Sequence, residues 1–276
     1  MKLVGIPPQA PARRPALAIV QKVFAPKVGA LLIVLALWEG LVVVHWRPVQ
    51  VLPPPAQVLG ALAAQVRSVT FYEAVGITLG RAAVGYSIAL LVGTAIGVSI
   101  TMVPVLRSAV GSLITGLSSM PSIAWFPFAI LLFQLSEQAI LFVVVLGAAP
   151  TIAHGVISGI DNVPRRQVEA ARILGARGLY LYRRVILPAA MPQVLIGLKA
   201  GWAFAWRSLL AAELLVIVAG RPSLGVRMQS ARKVSDAATM LALLVVLLAI
   251  GVLVDYGFSH LDRHLRRRRG MLPQAL

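Results

Sequence analysis

Residues 237–258 read AATMLALLVVLLAIGVLVDYGF, with no charged side chain from Ala237 through Val254. Roughly 20 apolar residues in a helix cross a hydrocarbon layer of roughly 30 Å. The stretch is too long for a buried strand and apolar on every face. It predicts a helix covered by lipid or by other spans. Working outward, the same test selects 28–46, 75–102, 110–133, 138–157 and 193–218. The segment 110–133 contains Pro121 and Pro127, which should break it. The expected fold is all-α: a polytopic membrane protein with six spans inside residues 28–258, flanked by basic tails at 1–27 and 259–276.

Composition agrees. The chain has 276 residues, 59% hydrophobic and 13% charged, with a mean hydropathy of +0.86. A soluble domain carries about a quarter charged residues, and this much apolar surface does not fit inside one water-soluble core. Lys and Arg number 26 against nine Asp and Glu, a net charge of +17. The excess does not point to nucleic acid, because neither a basic recognition helix nor an aromatic RNA platform is visible. It fits membrane lipid, since basic residues collect on the cytoplasmic side. With six spans, both termini and the loop at 161–188 share one face. That face carries 17 Lys and Arg, against six on the other (Arg47, Arg67, Arg221, Arg227, Arg232, Lys233). Both termini are therefore expected in the cytoplasm. Residues 1–27 read as a tail that is disordered or lies on the surface. No small-residue cleavage site follows 28–46, so it reads as an uncleaved first span. The absence of cysteine excludes disulfides, thiolate catalysis and Cys-ligated zinc.

The loop 161–188 is the most informative polar segment. Asp161-Asn162-Val163-Pro164 reads as a helix start, a capping side chain ahead of a first-turn proline. Arg165 to Leu174 are good helix formers. Gly175 and Gly178 offer a stop and a turn, and a second short helix is expected to end at Pro188. The result is a hairpin at the membrane surface. On physics alone it could be a mere connector.

Its residues carry a resemblance. Glu169-Ala170-Ala171, Gly175 and Val185-Ile186-Leu187-Pro188 resemble the EAA loop of ABC importer permeases. That pattern is Glu-Ala-Ala, three residues, Gly, nine residues, Ile, any residue, Leu-Pro; here Val185 replaces Ile. Further matches resemble the nitrate, sulfonate, taurine and bicarbonate branch. They are Val51 to Pro55, Thr78-Leu79-Gly80-Arg81, Gly85-Tyr86, Ser122 to Pro127, Ala212-Glu213, Leu224-Gly225, Asp255 and Leu261-Asp262-Arg263, with Asp262 where Glu is usual. The resemblance covers about residues 30–268. It implies a permease subunit in a bacterial inner membrane. It also implies a second permease copy, two ATPase subunits that hold ATP and Mg, and an extracytoplasmic solute-binding protein. Glu169, Ala170, Ala171, Gly175, Leu187 and Pro188 would then meet the ATPase. The implied cargo is a small solute, an anion such as sulfonate, taurine, nitrate or bicarbonate.

Ionisable groups within spans face a cavity or a partner, because lipid does not solvate them. Arg81, Lys199, Arg207 and Glu213 qualify. Arg207 and Glu213 are six positions apart, about 120° around a helix, so they do not pair. Arg81 and Glu213 both lie toward the outer end and could. Arg207 reads either as a contact for an anionic solute or as a packing residue; Lys199 can snorkel toward the cytoplasm. Thr115, Ser118, Ser119 and Ser122, followed by Trp125, could line a passage or satisfy contacts between helices. Gly85, Ala89, Gly93 and Gly97 form a small-residue ridge suited to tight internal packing or to a second subunit. Gly80 to Ser87 has the glycine spacing of a P-loop but carries Tyr86 in place of its lysine, and no other nucleotide site is present. His45, His154, His260 and His264 have no metal-ligand company. Two rivals stay open here. A secondary transporter driven by an ion gradient would need a buried acidic ion site and inverted repeats. An intramembrane enzyme would need a paired acid and base.

Overall fold

Lipid gives no hydrophobic drive between spans, so helices associate where small residues let backbones approach. Helix α6 (Glu137–Asp161) is rich in such residues, and half of its apolar window is buried. Helix α3 (Val69–Met102) lays its Gly85–Gly97 ridge against α6. A Cβ on Gly93 would lie 2.5 Å from the Ala149 carbonyl oxygen, and one on Gly97 would lie 2.8 Å from Val156 Cβ. The ridge is an internal contact. Helix α9 (Leu187–Leu215) closes on another face of α6, where Gly155 and Gly197 approach so closely that a Cβ on either would lie 2.4 Å from the other's Cα.

The computed structural model describes residues 16–268, which are all-α with no strand among them. The remaining helices are α1 (Ala16–Val43), α2 (Pro55–Val66), α4 (Pro104–Ser119), α5 (Phe126–Phe133), α7 (Arg165–Ile173), α8 (Gly178–Leu181), α10 (Leu224–Lys233) and α11 (Ala237–Arg268). The core is aliphatic and centred on α6, with Ile140, Val143, Val144 and Ile152 fully buried against Leu209 of α9 and Leu243 of α11. The Tyr86 ring stands edge-on to Trp202 at 5.3 Å, and its hydroxyl donates to the Leu198 carbonyl at 3.0 Å. A phenol in this layer needs such an acceptor.

Several expectations change, but segment 110–133 is broken as its prolines predict, and sharply. Helix α4 ends at Ser119, a 3₁₀ turn covers Ser122–Trp125, and α5 departs at 101°. Pro121 marks the bend; Pro127 sits in the first turn of α5, where a missing N–H costs nothing. The connector before α3 contains α2, started by Pro55 and packed on α11. The first apolar helix stops at Val43 rather than Trp46. It meets the body through the Trp38 indole, which donates to the Pro53 carbonyl at 3.1 Å. Helices α1 and α11 also extend into the stretches read as tails, starting at Ala16 and ending at Arg268. Among the described residues, four helices are long and apolar enough to cross a membrane: α3, α6, the continuous Gly178–Leu215 rod and α11. A fifth crossing exists if α4 and α5 make one broken span.

Candidate functional site

The hairpin is built on a small apolar core of its own. Val163, Ala176, Leu181, Ile186 and Ala190 are buried together, with Val168 and Ala171 packed on them. Helix α7 ends in a Schellman closure: the Ala176 N–H donates to the Ala171 carbonyl at 2.9 Å and the Gly175 N–H to the Arg172 carbonyl at 3.0 Å. That closure needs a left-handed residue, and Gly175 has φ +88°. The expected start is different, however. Asp161 is the last residue of α6 and pairs with Arg107, while the Asn162 side chain donates to the Ser158 carbonyl at 2.8 Å. Both side chains finish α6, and no side chain caps α7.

The exit differs too. The second arm does not end at Pro188. Helix α8 passes through a π turn at Tyr182–Ile186 straight into α9, with Pro188 in the first turn of α9. A wider turn just upstream accommodates a residue that cannot donate. The hairpin is thus welded to a rod that reaches Leu215. Glu169, Ala170 and Gly175 are exposed, Ala171 faces the small core, and Leu187 and Pro188 are half-buried. The sequence reading missed the tip. Ile173 and Leu174 are each 87% exposed, beside exposed Leu179 and Tyr180. For Ile173 a signal was present: it stands two positions past the inward-facing Ala171, about 160° from it around a helix. Leu174 keeps the helical spacing of Val168 and Ala171, so its exposure was not legible.

A second constellation lies at the opposite end of the same rod. The Arg81 guanidinium donates to Glu213 at 2.8 Å and grips Glu137 through two bonds of 2.8 and 2.6 Å. Arg81 is 5% exposed and Glu213 is fully buried. Thr78 donates to Glu213 at 3.0 Å and accepts from the Leu224 N–H at 3.0 Å, and the Gly225 N–H donates to Glu213 at 3.2 Å. A Cβ on Gly225 would lie 2.4 Å from Glu213 Cβ. Three short motifs of the sequence, Thr78–Arg81, Ala212-Glu213 and Leu224-Gly225, therefore meet at one clasp joining α3, α6, α9 and α10. Glu137, at the first turn of α6, was not foreseen. The buried carboxylate of Glu213 is committed to Arg81, Thr78 and a backbone amide, which removes it as a free ion site.

The other residues singled out by sequence lie elsewhere. The Ser208 hydroxyl meets the Ser122 hydroxyl at 2.6 Å, joining α9 to the α4–α5 elbow. Ser118, Thr115 and Ser119 donate to carbonyls of their own helix. Trp125 lies against Phe128. Arg207 is exposed on α9, its guanidinium over the Phe204 ring at 5.8 Å. It borders a cavity of about 450 Å³ between α9 and α11, together with Trp206, Lys199 and Asp255. Lys199 pairs with Asp255 at 2.8 Å rather than standing alone. So Arg81 and Glu213 come together, Ser122 finds Ser208, and Arg207 stays apart from both groups.

Over residues 85–267 the sequence matches the family described as "Binding-protein-dependent transport system inner membrane component". It is 28% identical over 243 residues to the taurine transport system permease of Escherichia coli, covering 86% of this chain and 87% of that protein. It is 25% identical over 186 residues to the bicarbonate transport system permease of Synechocystis sp., covering 67% and 66%. In structure it resembles a chain of the inward-facing methionine ABC transporter MetNI. The TM-score is 0.61 at 21% identity, covering 70% of this chain and 94% of that one. That last likeness is one of fold.

Proposed function

The chain belongs to the family of binding-protein-dependent transport system inner membrane components, and from that premise we propose how it is coupled and what it carries. As an ABC importer permease it is a transport subunit, not an enzyme. Its hairpin seats on a separate ATPase chain that holds ATP and Mg. Two permease copies and two ATPases make the working unit, with both termini and the hairpin in the cytoplasm. The observation that carries this reading is the tip itself. Ile173, Leu174, Leu179 and Tyr180 are exposed on a hairpin that has its own core. Exposed apolar clusters of this kind mark contact with another protein. Because α8 runs into α9 without a break, a push on the tip moves the rod and, through Glu213, the clasp at its far end. ATP-driven closure of the ATPases can then tilt α9 as a rigid lever.

The solute we propose is a small anion of the sulfonate or bicarbonate type, in line with what the two relatives are named for. A transient contact with Arg207 suits an anion, since a guanidinium grips two oxygens at once. Reconstitution in proteoliposomes with the ATPase and binding protein tests the whole reading. Uptake of taurine or bicarbonate should require ATP. Glu169→Lys and Gly175→Pro should abolish it while the permease still inserts. Proline at 175 cannot adopt φ +88° and removes the N–H that closes α7. Wild-type uptake in either variant would refute the coupling role.

A further inference from the structure

A groove runs between α9 and α11 toward the hairpin end of the rod. Its lower part is a cavity of about 660 Å³ bordered by Lys199, Asp255, Ser259, Asp262 and Arg263. Its upper part is the cavity of about 450 Å³ that reaches Arg207. Lys199 and Asp255 border both, so the two cavities are one groove with this ion pair set across it. The lysine holds Asp255 at 2.8 Å and donates to the Ser259 hydroxyl at 3.2 Å. Eight positions along α9 put Lys199 about 12 Å nearer the hairpin end than Arg207. Arg263 follows below, its Nε–H donating to the Ser259 carbonyl at 3.2 Å. The groove therefore carries three cations in series, and the middle one is already shared with a carboxylate.

Lipid does not suit this groove. Arg207 is exposed well inside the span, and among the described residues no carboxylate pairs with it. Lys199 and Asp255 are 42% and 56% exposed within the same body. Charges so placed need water or a counter-ion beside them, so the groove is wet. Cations in series draw an anion along a low-dielectric passage, but fixed cations alone would also retain it. We propose that the groove is the cytoplasmic exit route for a small oxyanion, and that Asp255 is the tethered competitor that releases the anion from Lys199. The anion takes the carboxylate's place on the ammonium. Asp255 then returns to Lys199, and the anion leaves past Arg263. A half-exposed ion pair is held weakly enough for such an exchange. Asp262 borders the same lower cavity and repels an anion that lingers there. The inference rests on the permease reading and on the cytoplasmic placement of the hairpin, and it carries the route beyond Arg207.

The two partners of one ion pair then have opposite roles, and the test reads that difference. Equilibrium binding of radiolabelled ethanesulfonate is measured on the full permease–ATPase complex in phosphatidylcholine nanodiscs, without the solute-binding protein. Lys199→Gln should weaken binding about fivefold, whereas Asp255→Asn should strengthen it about threefold by removing the competitor. Asp255→Asn should also slow ATP-driven uptake in proteoliposomes, because release is impaired. Lys199→Arg keeps the charge and should retain binding, which separates loss of the cation from loss of the fold. A pair that merely straps α9 to α11 predicts the same change in both neutral variants. Equal shifts, or none, would overturn the proposal. So would a wild-type complex that binds no ethanesulfonate but retains added phosphatidylglycerol, which would assign the groove to lipid headgroups. The permease reading is checked separately by ATP-dependent uptake of the wild type with its binding protein. If that import proceeds while the two variants bind alike, the exit route alone fails; if it does not proceed, the reading beneath it fails first.

Discussion

The hairpin and the clasp sit at opposite ends of one helical rod, and each inverts the usual rule for its surroundings. The hairpin leaves the apolar Ile173 and Leu174 almost fully exposed. The clasp puts Arg81, Glu137 and Glu213 into the protein's membrane-spanning body. The two inversions are compensated differently. The clasp satisfies itself: each carboxylate finds the guanidinium, and the leftover lone pairs take Thr78 and the Gly225 amide. The hairpin satisfies only its inner side, through Val163, Ala176, Leu181 and Ile186, and leaves its tip unpartnered. A self-contained inversion holds a fold together; an open one waits for another molecule. Substitutions should therefore separate cleanly, with clasp changes harming assembly and tip changes harming coupling.

The largest expected effect is at Arg81. Arg81→Met strands Glu213 in a fully buried site with no counter-charge, a loss of about 3–5 kcal/mol. The yield and melting temperature of purified permease should both fall. The double variant Arg81→Met/Glu213→Gln removes the stranded charge and should recover part of the loss. Equal damage in the single and double variants would show that shape, not charge balance, sustains the clasp. At the tip the pattern should reverse. Ile173→Ser/Leu174→Ser should leave permease stability within about 0.5 kcal/mol, as exposed positions usually do. Co-purification of the ATPase and uptake should nonetheless drop about tenfold or more. A fall in melting temperature of the isolated permease would mean that the tip is packed rather than presented.

Both regions were partly legible in the sequence, for different reasons. The hairpin is local. Glu169, Gly175 and Pro188 lie within one loop, and a positive-φ glycine after a helix announces its own turn. What was hidden was continuity. A proline reads as an end, yet a π turn lets the chain run through Pro188 into α9. The facing of Asp161 and Asn162 was hidden as well, since a residue able to start one helix can equally finish the one before. The clasp is non-local. The Arg81–Glu213 pair was accessible because both charges lie toward the outer ends of apolar runs. Glu137 was not, because it sits 56 positions from Arg81 at a helix start, where an acid is unremarkable. The bend at Pro121 falls between these cases: two prolines announce a break, but not its 101° angle.

The smallest effects sharpen the comparison at the turn from α10 into α11, which copies the hairpin's closure without its glycine. The Asp236 N–H donates to the Ala231 carbonyl at 2.9 Å and the Ser235 N–H to the Arg232 carbonyl at 3.1 Å, as around Gly175. Ser235 holds the left-handed position at φ +56°. Ser235→Gly should relieve that conformation and raise stability by about 0.5–1 kcal/mol. The neighbouring Asp236 then starts α11, accepting the Thr239 N–H at 3.0 Å. This bond, the largest cause, holds its carboxyl below the ordinary value of 3.8. The sign follows from linkage. A depressed folded value means the carboxylate stabilises the fold fully above the ordinary value. That contribution is lost as pH falls through the lower folded value. Asp236→Asn keeps an acceptor at the helix start but does not titrate. The difference in melting temperature between wild type and Asp236→Asn, measured in detergent, should therefore be constant from neutral pH down to about 5. It should shift against the wild type below about pH 4. A difference that stays flat to about pH 3 would show that the cap works through geometry alone, and that this turn, unlike the clasp, draws nothing from its charge.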